Sequence, residues 1–171
     1  METAIVSIIC IALVVFGGMT MSRGFMTSVD ASTAGLQQVG QQNETILRTE
    51  LAPISASLSG NNTLEVVLEN TGQTRLASFD KWDFFIQYFD GTGTYHVAWL
   101  PYTAGALGDN EWTVAWIRLG GATEVFEPNV LNPKEQIMLR AQLNPAAGAG
   151  TTNMVTVATP SGVTASTYFS P

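Results

Sequence analysis

A single histidine, His96, stands in a stretch reading TYHVAWL, and a base of that kind needs an acid or a nucleophile placed beside it. The nearest acids are Asp80, Asp83 and Asp90, with Asp109 and Glu111 further on. Their spacing follows neither the ordered ligand series of a calcium loop nor that of any helical metal motif. They read as solvated loop acids. His96 has Tyr95 and Trp99 for neighbours on a strand-like segment, which makes it a packing or surface residue. The one cysteine, Cys10, has no intramolecular disulfide partner and lies in an apolar run, remote from any base. No G-x-S-x-G, P-loop or G-x-G-x-x-G occurs in a usable setting, so the chain reads as non-enzymatic, with no cofactor and no metal site.

The elements that would have to position any chemistry fall into two contrasting parts. Between Glu2 and Arg23 there is no charged residue, and Ile5 to Met21 is almost wholly apolar or small. At about 1.5 Å per residue that run covers most of a bilayer core of about 30 Å. A removable signal peptide would open with basic residues and close on a small-residue cleavage site; Met1-Glu2 gives an acid and no such site follows. From Arg23 onward helical spacing persists, with Phe25, Val29, Leu36, Val39 and Ile46 near one face. The spacing predicts a helix from residue 3 to about 51, closed by Pro53. Glycines at 17, 18, 24, 35 and 40 each cost such a helix up to about 1 kcal/mol, so its stability must come from outside, as when small residues let neighbouring helices approach closely.

After Pro53 the period becomes two. TLEVVLENTG places Leu64, Val66 and Leu68 on one face, and QIMLRAQL does the same with Ile137, Leu139, Ala141 and Leu143. DFFIQYF and TYHVAWL flank DGTG as a hairpin, and WTVAWIRL, MVTVAT and TASTYF complete about eight strands. The expected fold class is α+β: a long N-terminal hydrophobic helix (1–52) followed by an immunoglobulin-like all-β sandwich (53–171). Trp82, Phe84, Phe85, Trp99, Tyr102, Trp112 and Trp116 could form a glycan platform, but burial in the core or between subunits is the expected use of most of them.

Net charge of −7 speaks against nucleic acid and against an anionic lipid surface as partner. Low charge content with many small and hydroxylic residues suits an exported domain. Two sequons, at Asn43 and Asn61, permit N-glycosylation. Arg23 on the sandwich side of the apolar run would keep the sandwich inside the cell. A short basic leader ahead of Met1, removed after it has oriented the segment, resolves that conflict.

The order of parts resembles archaellins and related type IV pilin-like filament subunits: an apolar helix (Ile5 to Met21), its amphipathic continuation (Phe25 to Leu51), then an all-β domain that includes LEVVLENTGQTRLASFDKWDFFIQY and ends in VATPSGVTASTYF. The resemblance implies a membrane-inserted precursor, a prepilin-type peptidase, and an assembly and motor platform in the membrane. It implies a homopolymeric filament on the cell surface, with helices in its core and β-domains outside, used for swimming. An adhesive pilin and a membrane-anchored module of the motor or envelope share the same layout. Pilins usually carry an acid at the fifth mature position; here Ile5 holds it and the acid is Glu2, which favours the archaellin side. In such a filament Ile5, Ile8, Ile9, Leu13, Val14, Phe16, Phe25, Val29 and Leu36 form the core, each apolar side chain worth about 1.5–3 kcal/mol when fully buried. Glu2 in that core would pair with the N-terminal amine of a neighbouring subunit.

Overall fold

The computed structural model describes residues 2–60 and 62–171. Helix α1 runs Glu2–Arg48, and nine strands follow: β1 (Leu51–Ser59), β2 (Thr63–Asn70), β3 (Asp83–Phe89), β4 (Tyr95–Leu100), β5 (Trp112–Leu119), β6 (Ala122–Thr123), β7 (Gln136–Gln142), β8 (Asn153–Ala158) and β9 (Thr164–Phe169). Two compact units divide the chain after Asn43. The first consists of helix alone, and the second carries the last helical turn and every strand.

Helix α1 is 47 residues long, about 70 Å by its rise. Thr20, Thr27 and Thr33 turn their hydroxyls onto carbonyls three or four residues back, so these three hydroxyls are satisfied within the helix. It ends three residues before the expected Leu51. Pro53 does not close it and stands inside β1 instead. The strand tolerates proline because β1 is an edge strand, and its pairing to β2 slips between Pro53 and Ser55. What stops the helix is a cap supplied by the chain after β2: Gln73 donates to the Arg48 carbonyl at 2.7 Å, and Thr71 and Gly72 donate to that of Glu50 at 3.1 and 3.2 Å.

The strands form a five-stranded antiparallel sheet in the order β1-β2-β7-β5-β6 and a four-stranded one in the order β4-β3-β8-β9. The period-two reading of β2 and β7 holds: Leu64, Val66, Leu68, Ile137, Leu139 and Ala141 all face inward and are fully buried. Phe84, Ile86 and Tyr88 of β3 and Val155 and Val157 of β8 meet them from the other sheet. Phe84 stacks on Trp112 with ring centroids 5.7 Å apart, and Tyr102 meets the same indole edge-on at 5.0 Å. Buried Asn70 donates its amide to the carbonyls of Thr74 and Leu131 and accepts from Gly72 N–H, which ties the loop after β2 to the segment before β7.

The β3–β4 hairpin forms over Asp90-Gly91-Thr92-Gly93-Thr94 as its sequence suggested. Asp90 organises it, accepting from the Thr92 hydroxyl at 2.6 Å and from the Thr92 and Thr94 amides, with His96 Nε2 2.9 Å from its other oxygen. His96 stacks on Tyr88 at 5.0 Å. The Thr92 hydroxyl first, then His96 and the Thr94 amide, hold the Asp90 carboxyl well below the usual carboxylate range. A carboxyl held low in the fold stabilises above its unfolded value and stops doing so as pH falls toward the folded one. Asp90→Asn is therefore expected to melt several degrees below the parent at pH 7, with the gap narrowing below about pH 4. A gap that stays constant from pH 7 to pH 3 would assign it to lost packing and not to the charge.

Candidate assembly surface

The expected filament-core residues all lie on α1 and are exposed within one chain. Ile5, Ile8, Ile9, Leu13 and Phe16 are joined by exposed Val6, Ile11, Val15 and Met19, so the first half of the helix is apolar around its whole circumference. In the second half the apolar residues, Met26 apart, narrow to a stripe. At 3.6 residues per turn Phe25, Val29 and Leu36 fall within roughly 40° of one another, among Gln, Ser and Thr. Val14 continues the same stripe upward. The helix is long and apolar enough to cross a bilayer, with none of its most apolar stretch buried.

Glu2 begins the helix and its side chain lies outside the described residues; Asn61 does as well. Asn43 is on the exposed surface of α1. The acids singled out in the sequence do not converge: Asp83 accepts the Trp99 indole N–H at 2.9 Å, Asp90 serves its hairpin, Asp109 accepts from Asn144, and Glu111 accepts from Gly108 N–H. Among the described residues no three His, Cys, Asp or Glu side chains are grouped to hold a metal ion.

Two features of the sandwich were not visible as a pattern in the sequence. The first is the outer face of the four-stranded sheet, where registers Phe85↔Trp99, Gln87↔Val97 and Phe89↔Tyr95 line up outward-pointing side chains. Phe85, Phe89, Tyr95, Val97 and Trp99 are 38–65% exposed there, and Tyr168 on β9 extends the face. Of the aromatics expected inside, Trp82, Phe84 and Trp112 are buried and Tyr102 and Trp116 half-buried, the latter beneath the Arg118 guanidinium at 4.3 Å. Phe85 and Trp99 point out.

The second is the loop after β6. Glu124 accepts the amides of Phe126 and Glu127, and Glu127 pairs with Arg75 and accepts from Asn132. These backbone bonds, that from Glu127 N–H first, hold the Glu124 carboxyl below its usual range. The loop is thus held from both sides while its tip, Val125 and Phe126, is 77% and 95% exposed.

No family profile and no curated protein sequence matches the chain. Solved structures do. The archaeal flagellum of Methanospirillum hungatei strain JF1 aligns over 95% of this chain and 88% of its own, with a TM-score of 0.57 and 13% identity. Archaeal flagellin FlaB1 from Methanocaldococcus jannaschii aligns over 71% of this chain and 89% of its own (TM-score 0.53, 15% identity). The archaellum periplasmic stator protein complex FlaF and FlaG from Sulfolobus acidocaldarius also aligns over 71% of this chain and 89% of its own (TM-score 0.52, 21% identity). At these identities the likeness is one of fold: the chain has an archaellin-like fold, a long apolar helix followed by an all-β sandwich.

Proposed function

We propose that this chain is a non-enzymatic structural subunit of a helical, archaellum-like filament on the cell surface, polymerising through α1 to serve swimming motility. The observation that carries the reading is the second half of that helix. A single-span anchor needs about 20 apolar residues. Here an apolar stripe at Phe25, Val29 and Leu36 continues beyond the apolar run along an otherwise polar helix, which suits packing against other helices in water and adds nothing to an anchor. The alignment with a solved archaeal flagellum over 95% of the chain supports the same reading, because residues 44–171 alone make up about 75% of it.

In the filament, Ile5, Ile8, Ile9, Leu13, Val14, Phe16, Phe25, Val29 and Leu36 bury against equivalent helices, and the sandwich faces outward. Before assembly the apolar run sits in the membrane as a precursor, where a prepilin-type peptidase and a membrane assembly and motor platform act on it. Glu2 pairs with the N-terminal amine of a neighbour, and Asn43 and Asn61 are the glycosylation positions. Likeness to the stator complex supports a second reading, a membrane-anchored module of the motor that stays with the envelope.

Shearing cells that produce the full chain, beside a truncation lacking residues 1–22, separates the two. Filaments seen by negative-stain electron microscopy with the full chain and absent with the truncation are the expected outcome. A full chain that stays in the membrane fraction without forming filaments supports the anchored module and ends the filament reading.

A further inference from the structure

We infer that N-glycosylation at Asn43 and polymerisation through α1 exclude each other, so that a chain modified there is held out of the filament. The inference rests on the filament reading above and deepens it by giving one of the two sequons a regulatory role.

Position on the helix carries the argument. Asn43 comes 18 residues after Phe25, five full turns at 3.6 residues per turn, and seven after Leu36. It therefore lies within about 20° of both, in line with the apolar stripe and away from the polar faces. Ser32 and Gly40 flank that line at about 40° on either side, short residues that leave it open to close approach. The sequence keeps the line beyond the sequon as well: Leu47, eleven residues after Leu36 and so about three turns on, is 85% exposed. Asn43 itself is exposed within one chain.

Size decides between the two states. Helices packed side by side hold their axes about 8–10 Å apart, a gap that their side chains fill. A glycan is bulky and strongly hydrated, and on this line it would stand between the helices, parting them and leaving its hydroxyls without water or partner. A bare asparagine fits the same gap, where its amide can pair with the counterpart on a neighbour.

Timing follows from the sequon's own geometry. Asn43 and Thr45 stand two positions apart, which on a helix turns them about 160° from each other. An enzyme that reads both side chains of Asn-x-Thr together needs this stretch before it is helical. The sugar comes from a lipid-linked glycosyl phosphate. The Asn43 amide nitrogen bonds to the anomeric carbon, the anomeric C–O bond breaks with its electron pair leaving on the phosphate, and one amide proton passes to water. Modification thus precedes assembly and decides it chain by chain.

The test is mass spectrometry of the tryptic peptide Gly24–Arg48, from cells that produce the full chain and are shown to glycosylate another exported protein. Membrane fraction and sheared filaments are compared, beside a double variant, Gln41→Asn with Asn43→Thr, that moves the sequon to position 41. That position lies about 140° from Leu36, among Asp30, Ala34 and Gln37. The glycosylated fraction at Asn43 is expected to be at least about tenfold lower in filaments than in membranes, with no such difference for the moved sequon. Equal fractions at Asn43 overturn the exclusion, and so does a peptide that is bare in both; either leaves the filament standing. Depletion as strong for the moved sequon also overturns it, since the line of the stripe would then not matter. No filaments from either chain removes the filament reading, and the inference with it.

Discussion

Trp112→Ala is expected to cost the sandwich about 4 kcal/mol, a large share of the roughly 5–15 kcal/mol that holds a domain folded. The indole is fully buried where three elements meet, stacked on Phe84 of the opposite sheet and met edge-on by Tyr102 from the chain after β4. Alanine leaves a cavity that both sheets would have to close on, and the close-packed side chains around it hold the sheets apart. Trp112→Phe should behave differently. Indole Nε1 donates to nothing among the described residues, so phenylalanine keeps most of the ring packing and removes a buried donor that is costly to leave unpaired. Its expected cost is below about 1.5 kcal/mol. Thermal melts of the full chain in detergent decide the matter: if phenylalanine proves as damaging as alanine, the indole nitrogen has a partner that matters and the packing account fails.

Legibility in the sequence followed the period of each segment. β2 and β7 were readable because every second residue is aliphatic while the intervening ones, Val67 and Met138 apart, are polar, and burial follows that alternation residue by residue. β1 was not, because Pro53 reads as a helix stop; Ile54 is exposed while Ala56 and Leu58 pack partly against the core, a pattern too weak to compete with that signal. The aromatic face was hidden for the opposite reason. In DFFIQYF the adjacent Phe84 and Phe85 look equally suited to a core, and only the register of β3 sends Phe84 in and Phe85 out. Asp90 and His96 sit six residues apart, and nothing in their spacing shows that the hairpin turn brings them within 2.9 Å. Phe126 carried no signal at all, since its exposure depends on a loop fastened by Arg75 and Asn132 from elsewhere in the chain. The apolar helix was the reverse case: its composition announces it, and its surface stands uncovered within the single chain.

Gly72→Ala is expected to be nearly as damaging as the loss of Trp112, for a reason no contact of the glycine itself reveals. A Cβ at position 72 would stand 2.5 Å from the Glu50 amide nitrogen and 2.6 Å from the Arg48 carbonyl oxygen. Both are backbone atoms and neither can swing aside. The loop would have to retreat, releasing the Gln73 bond to Arg48 and the Thr71 and Gly72 bonds to Glu50 that cap the helix end. Three bonds worth about 1 kcal/mol each put the cost at about 3 kcal/mol. Gly60→Ala provides the comparison: it is strained by a φ of +70° but meets no atom within 4 Å, so about 1 kcal/mol is expected. The two costs differ in place as well as in size. Releasing the 71–73 loop frees the carbonyls at which α1 passes into β1, so amide exchange at Thr71 and Gln73 should rise by at least an order of magnitude while exchange in β3 and β8 barely changes. On the proposed filament reading, filament yield should then fall further in Gly72→Ala than in a core variant of equal melting temperature, because a polymer built on the helix would display its sandwiches in register only through that joint. Equal yields at matched stability would make the cap a matter of folding alone and locate the control of assembly wholly within α1.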